Sequence, residues 1–256
     1  MKLAQFISLV SVDAQRGFVK GRHMYDNVFD IESEALAAYA EEKEASGVVA
    51  FDIAAAFPSL SHEFLFEALV KYKVPKDIIV LLKALSTDHV VQLKFKGDVH
   101  PGFAVLSSIK QGGPASGSLF ALALDAYIRM FFLRLPSAVA LFRAYADDLV
   151  AMLRRLYTNF KSIIKAFRIL KEATALEAHP SKIQLVAFGP GASALLVKAW
   201  VDSLPAPWNQ MVCGGSLKHL GTIVGPEAQH RFWEDGLANY QHATKTLVSL
   251  GWAWPS

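Results

Sequence analysis

The sequence predicts an α+β fold in which helices back an antiparallel sheet. Three observations predict it. Short apolar runs alternate with longer stretches of helix-forming residues along the chain. Two of these runs, residues 141–146 and 149–153, flank a tight acidic turn, as the arms of a hairpin do. The hydrophobic content of 53% over 256 residues is enough for one large core or two closely packed ones.

The first half of the chain is predicted to place one buried strand among helices. Residues 1–10 superficially resemble a signal peptide, but they carry a single lysine and no clear cleavage site, so we interpret them as a helix of the fold. Residues 32–44 are rich in Ala and Glu and predict a helix. Residues 47–51 are apolar and partly β-branched, which predicts a central strand buried on both faces and ending at Asp52.

Capping and turn residues delimit the next elements. Ser61 is suited to cap a helix that has Glu63 in its first turn, and Pro75 is suited to open another helix. Apolar and polar residues alternate over 91–95, and Gly97 then supplies a turn, so this segment predicts a hairpin arm.

The second half predicts a similar alternation of helices and strands. Pro114 suits the first turn of a long, mostly buried helix. The remaining predicted elements are, in chain order, the helix 115–135, the hairpin strands 141–146 and 149–153, the amphipathic helix 159–177, the strand 183–188, a final hairpin arm over 217–224 and a C-terminal helix.

Composition permits nucleic-acid binding without requiring it, because the net charge is only +3 and the isoelectric point is near 8.9. The single cysteine, Cys213, excludes an internal disulfide framework and argues against a structural zinc site. The best candidate for a membrane span, residues 119–135, is interrupted by Asp125, Arg129 and Arg134. We therefore expect no membrane partner.

Three acids carry the functional prediction. Asp147 and Asp148 are predicted at the tip of the hairpin, where adjacent negative charges cost free energy unless a cation neutralises them. Asp52 ends the predicted central strand, and the small residues 54–56 leave room for a ligand beside it. If that strand lies beside the hairpin, three carboxylates converge as in two-metal phosphoryl transfer. The alternative for an arbitrary chain is a solvated Asp-Asp turn.

Six motifs in the same order resemble the reverse transcriptase domain of non-LTR (LINE-type) retrotransposons. They cover residues 15–22 with Asp26-Asn27, 51–59, 109–120, 145–148, 180–182 and 219–221. The residues of the second and third motifs match this family better than they match group II intron or retron enzymes. The resemblance implies a right-hand polymerase palm over 47–64 and 106–225, partial fingers over 1–46 and 65–105, and the start of a truncated thumb over 226–256.

The resemblance also implies a role for each site residue. Asp52, Asp147, Asp148 and the carbonyl of Ile53 would hold two Mg²⁺ ions, for which Mn²⁺ can substitute. Phe57 would be the steric gate against ribonucleotides, although it also reads as a core aromatic. The remaining implied positions are Gln111 and Gly112 at the nucleotide, Lys182 as a general acid, and Arg16, Lys20, Arg22, Tyr145, Leu220 and Gly221 at the nucleic acid. A solvated lysine at 182 and a solvated basic loop over 16–22 stay open as alternatives.

The function implied is RNA-dependent DNA polymerase, with an RNA template, a DNA primer and deoxynucleoside triphosphates as partners and the nucleus as location. The family's first finger segment and its thumb would extend beyond the two ends of this sequence. That expectation favours an alternative of another class, an inactive polymerase-like module that only binds nucleic acid. A palm-fold nucleotidyl cyclase is a third hypothesis, but it has no use for the Gln-Gly motif at 111–112. The oligomeric state is not implied.

Overall fold

The computed structural model describes residues 3–41, 43–87, 89–105, 107–110, 112–135, 141–231 and 234–249. Its helices are α1 (Leu3–Val10), α2 (Met24–Glu41), α3 (Ala56–Ser59), α4 (His62–Lys71), α5 (Lys76–Ser86), α6 (Ser116–Arg134), α7 (Leu156–Thr174), α8 (Ala194–Asp202), α9 (Ala228–Arg231) and α10 (Glu234–Ser249). Its strands are β1 (Ser46–Phe51), β2 (His89–Phe95), β3 (Asp98–Val105), β4 (Leu141–Tyr145), β5 (Asp148–Leu153), β6 (Gln184–Phe188), β7 (Val212–Cys213), β8 (Leu217–His219) and β9 (Thr222–Val224). The predicted α+β class is confirmed.

Strand β1 is the centre of a five-stranded sheet with the order β4-β5-β1-β6-β7. It runs antiparallel to β5 and β6, and all six of its residues are buried. The prediction of a central strand buried on both faces is therefore confirmed. The β6–β7 pair is parallel, which departs from the expected purely antiparallel sheet.

The two faces of this sheet belong to two apolar clusters. Val49 and Phe51 of β1 enter the larger cluster, which includes residues of α4, α6 and α7. Val48 and Ala50 enter a smaller cluster with Val28 and Ile31 of α2. This alternation follows from the two-residue period of a strand and explains why β1 is apolar without interruption.

Helix α6 is the principal core helix. By length and composition alone, the window Ser116–Leu133 is long and apolar enough to span a bilayer, despite the charged residues Asp125 and Arg129 within it. Because 61% of that window is buried inside the protein, its position in the core also accounts for its apolar composition.

A buried carboxylate joins three parts of this core. Asp125 of α6 is fully buried, and its Oδ1 accepts a hydrogen bond from the backbone N–H of Val12 at 2.6 Å. Its Oδ2 accepts from the hydroxyl of Tyr72 and, at 2.8 Å, from the Nε of Arg129. Burial, followed by the bond to Asp125, raises the pKa of Tyr72, so the phenol stays protonated.

Local signals located most elements correctly. Ser61 accepts from the N–H of Phe64 as the cap of α4, and the predicted hairpins appear as β2–β3 and β8–β9. Helix α2 begins earlier than predicted, and α8 and β7 were missed. Helix α8 is short, and the contact of Val197 and Val201 with the main core decides its position.

Candidate active site at the end of the central strands

The register of β1 and β5 brings the acids together. Phe51 pairs with Leu149, so Asp52, which follows β1, lies beside Asp148 at the start of β5. Both residues line a cavity of about 360 Å³ that Lys182 and His219 also line. The predicted convergence of strand and hairpin is thus present.

The hairpin turn differs in detail from the prediction. Tyr145 pairs with Asp148 across the β4–β5 ladder, so the two turn residues are Ala146 and Asp147. Ala146 has a φ of 56°, which is the left-handed conformation that tight hairpin turns require. Asp148 is therefore already part of a strand, and Asp147 alone of the two acids occupies the turn.

Asp147 and Asp148 are partly buried, and both are close enough to Asp52 to be repelled by its negative charge. Burial raises the pKa of Asp147, and the negative charge of Asp52 adds to the rise. Burial raises the pKa of Asp148, and the charges of Asp147 and Asp52 raise it further. Such unneutralised carboxylates are hard oxygen donors of the type that Mg²⁺ prefers, so their chemistry fits a divalent cation. Within the described ranges, no cluster of three or more His, Cys, Asp or Glu side chains stands in ready-made ligand geometry.

Lys182 supplies positive charge at Asp52. The backbone N–H of His179 donates to the carbonyl of Asp52 at 2.7 Å, and this bond holds the turn Pro180–Lys182 beside the strand end. The Lys182 Nζ then donates to Asp52 Oδ2 at 3.0 Å. The predicted site lysine is therefore in contact with a predicted site acid, while 59% of its side chain stays exposed to solvent.

Phe57 packs against the core and keeps part of its surface exposed. Its ring stacks on Phe120 of α6 with centroids 4.6 Å apart and meets Phe18 edge-on at 6.2 Å. It remains partly exposed. Gly112 has a φ of 81°, and a Cβ there would meet no protein atom within 4 Å, so the space beside it is open. Gln111 lies outside the described residues.

The basic segment 16–22 is mostly committed to internal contacts. Arg16 pairs with Asp30 at 2.6 Å, and the guanidinium of Arg22 donates to the backbone carbonyls of Ser11, Val12 and Gln15. These bonds oppose the prediction that both arginines bind the nucleic-acid backbone, because that binding would break several partly buried hydrogen bonds. Lys20 is exposed.

Two of the residues that the resemblance places at the nucleic acid, Leu220 and Gly221, lie at the turn between β8 and β9. Leu220 and Gly221 have φ values of 50° and 79°, and Leu220 is partly exposed. Sequence reasoning missed Lys218 and Gln184, which line the same cavity. The Oε1 of Gln184 accepts from the N–H of Lys218 at 3.1 Å and so ties this hairpin to β6. Alternation along β8, with buried Leu217 and His219 on either side of Lys218, was the available signal.

His219 predicts a pH dependence of stability. The side chain is 3% exposed, its Nε2 has no partner among the described residues, and burial lowers its pKa to about 4. The unfolded chain, with a pKa of about 6.5, takes up this proton first as the pH falls, so about 3 kcal/mol of stability is lost between pH ~6.5 and ~4. Urea unfolding across this range is expected to show that slope.

His219→Gln should flatten the slope, while His100→Gln on the exposed strand β3 should leave it unchanged. The raised pKa values of Asp147 and Asp148 act in the opposite direction, since the folded state then retains protons at acidic pH. An unchanged slope in His219→Gln would show that another group causes it.

Comparison with known proteins decides the family. The reverse transcriptase (RNA-dependent DNA polymerase) family matches residues 2–231, which is most of the chain. The chain belongs to the reverse transcriptase family. Transposon TX1 uncharacterized 149 kDa protein of Xenopus laevis is 26% identical over 158 residues, which is 59% of this chain and 12% of that protein. The Retrovirus-related Pol polyprotein from type-2 retrotransposable element R2DM of Drosophila melanogaster is 30% identical over 103 residues, 39% of this chain and 10% of that protein.

These relatives come from non-LTR elements, which confirms the resemblance drawn from the motifs. This reverse transcriptase chain matches only about a tenth of their length. Among solved structures, apo telomerase from Candida tropicalis truncated from the C-terminal domain has a TM-score of 0.63 at 12% identity, over 87% of this chain and 42% of that one. Telomerase from Candida albicans in complex with a TWJ fragment of telomeric RNA has a TM-score of 0.60 at 12% identity, over 87% and 37%. At this identity the likeness establishes the fold alone, and it is that of a telomerase-type polymerase domain.

Proposed function

We propose that this chain is the catalytic core of an RNA-dependent DNA polymerase that extends a DNA 3′-end on an RNA template. The observation that carries the proposal is the placement of Asp52 and Asp148 side by side at the ends of β1 and β5, with Asp147 adjacent, in a reverse transcriptase chain. Neither a solvated turn nor a binding surface needs Asp147 and Asp148 partly buried beside Asp52, whose charge contributes to the raised pKa of both.

The proposed cofactor is a pair of Mg²⁺ ions held by Asp52, Asp147, Asp148 and the carbonyl of Ile53. When bound, the ions would activate the attacking 3′-hydroxyl and neutralise the triphosphate. The partly buried carboxylates would be desolvated before substrate arrives, which strengthens their attraction for cations. Lys182, now paired with Asp52, would exchange that partner for the leaving pyrophosphate and give it a proton.

The proposed nucleic-acid path follows the same edge of the sheet. Tyr145 lies next to the acidic turn, and the turn at Leu220 and Gly221 adjoins cavity-lining His219. Lys20 is the member of the basic segment with an exposed side chain. A template–primer duplex held by its backbone and 2′-hydroxyls would need no base-specific contact. The palm, finger and thumb boundaries and the nuclear location stay predictions.

Primer extension on poly(rA)/oligo(dT) with Mg²⁺ tests this function. A variant of Phe57 makes the test more specific, because it examines the choice between dTTP and UTP. The wild-type chain is expected to incorporate dTTP and to reject UTP. In Phe57→Val, loss of the ring that stacks on Phe120 should raise relative UTP use by roughly 10- to 100-fold, because the 2′-hydroxyl no longer meets the aromatic wall.

Phe66→Val is the matched control, since Phe66 of α4 is 7% exposed and packs in the core without contacting Phe57 in a ring pair. It should lower stability without changing the UTP-to-dTTP ratio. Absence of extension by the wild type, together with retained binding of the template–primer, would reject the polymerase and leave the binding module.

A further inference from the structure

A loop that precedes all the predicted catalytic motifs runs along the edge strand of the sheet. The N–H of Ala144 in β4 donates to the carbonyl of Ala14 at 2.7 Å, and the N–H of Arg16 donates back to the carbonyl of Ala144 at 2.8 Å. Gln15 thereby forms a parallel bridge with Ala144. The loop lies two residues from the hairpin turn that carries Asp147.

The side chain of Gln15 connects this loop to the turn itself. Gln15 is fully buried, and its Oε1 accepts from the N–H of Gly17 at 2.8 Å and from the N–H of Ala146 at 3.2 Å. Its Nε2 has no partner among the described residues, so the acceptor oxygen accounts for the polar contacts of this amide. A buried side chain that satisfies two backbone donors is costly to replace by an apolar one.

Gly17 permits the contact to be this close. A Cβ at Gly17 would lie 2.0 Å from the backbone nitrogen of Ala146, which real structures do not tolerate. Two independent features, the acceptor of Gln15 and the missing side chain of Gly17, therefore converge on Ala146, the residue directly before the two acids.

The loop is itself firmly anchored. Arg16 pairs with Asp30 at 2.6 Å, and Asp30 also accepts from Arg143 of β4 at 2.7 Å. Arg22 donates to the carbonyl of Gln15 at 2.5 Å. Both arginines that the sequence suggested for nucleic acid are thus used to hold Gln15 in place.

We propose that Gln15 is a positioning residue for the catalytic turn. Its Oε1 holds the N–H of Ala146, so the turn keeps the left-handed conformation at which Asp147 and Asp148 face Asp52. This inference rests on the proposed polymerase function, because it assigns Gln15 to the cation-binding acids of that same site.

The test uses Gln15→Met. Methionine has a similar length but no oxygen acceptor. Mn²⁺ binding is measured by electron paramagnetic resonance, and steady-state kinetics give kcat and the KM for dTTP. Gln15→Met is expected to weaken Mn²⁺ binding roughly tenfold and to lower kcat by ~10- to 100-fold, with the KM for dTTP within about twofold of wild type.

A matched control separates positioning from general loss of stability. Thr174→Val removes a buried hydroxyl at the end of α7. This hydroxyl accepts from the N–H of Leu176 and donates to the carbonyl of Leu170, and it makes no hydrogen bond to the catalytic turn. It should lower the melting temperature without altering Mn²⁺ affinity. If Gln15→Met does not fold, Gly17→Ala, which opens the same contact from the other side, is expected to show the same weakened Mn²⁺ binding.

Wild-type Mn²⁺ affinity and kcat in a folded Gln15→Met or Gly17→Ala would overturn the proposal. The Mn²⁺ measurement also separates this failure from failure of the proposed function. A wild type that binds Mn²⁺ but extends no primer would reject the polymerase, while weakened Mn²⁺ binding in Gln15→Met alone would still support the positioning role.

Discussion

Asp147→Asn is expected to abolish primer extension while leaving the folded protein at least as stable as the wild type. Burial and the neighbouring charge of Asp52 raise the pKa of Asp147, so its ionised form at neutral pH destabilises the folded state relative to the unfolded chain. Asparagine removes that cost. It also removes a proposed cation ligand, and a loss on the order of a thousandfold in extension corresponds to several kcal/mol of transition-state stabilisation.

Primer extension and thermal melting at pH 7 measure the two effects on the same preparation. Asp202→Asn is the control, because Asp202 pairs with Lys198 on the surface of α8 and should leave both unchanged. Extension at the wild-type rate by Asp147→Asn would remove this acid from the mechanism. Lost extension together with a clearly lower melting temperature would instead indicate misfolding of the hairpin.

Asp125→Ala is expected to produce the largest loss of stability, about 3 kcal/mol or more. The fully buried carboxylate accepts bonds from Val12, Tyr72 and Arg129, which belong to the loop after α1, to the end of α4 and to α6. Its removal leaves a buried N–H and a half-buried hydroxyl without their acceptor. The side chain of Arg129 is 46% exposed, so water can solvate its charge once Asp125 is gone. The expected loss of stability therefore lies at the lower end of the range for a broken buried ion pair.

Urea unfolding at neutral pH measures this loss. Asp202→Ala offers a contrast with the same chemistry at an exposed ion pair, where the side chains of Lys198 and Asp202 are 63% and 52% exposed. That variant should change the free energy of unfolding by less than about 1 kcal/mol. Similar losses in the two variants would show that Asp125 does not join these elements energetically.

The individual site residues were largely predictable because each leaves a local mark in the sequence. Asp52 ends an uninterrupted apolar run, Asp147 and Asp148 separate two apolar arms, and Lys182 follows Pro180. The structure confirms the strand and the hairpin, and it shows in addition that Lys182 contacts Asp52. Their catalytic roles came from the resemblance to a family and remain proposals.

The basic segment 16–22 shows where prediction from the local sequence fails. Arg16 and Arg22 form a cluster in the sequence that indicates a surface for phosphates, yet both side chains make internal bonds. Gln15 lies in the same motif and was assigned no role of its own, although it is a buried residue that contacts the turn. Nothing in the local pattern distinguishes an arginine that holds a loop from one that faces solvent, since both are polar residues between apolar ones.

The sequence by itself determined which segments are buried, where helices are capped and which acids terminate strands. These properties depend on the periodicity of apolar residues and on single capping or turn residues, which act over a few positions. Only the tertiary structure decided that Asp52 lies beside Asp148, that β7 joins the sheet in parallel, and that Gln15 supports the turn. Each of these is a contact between segments far apart in the chain, and its register follows from how all the elements pack together rather than from any one of them.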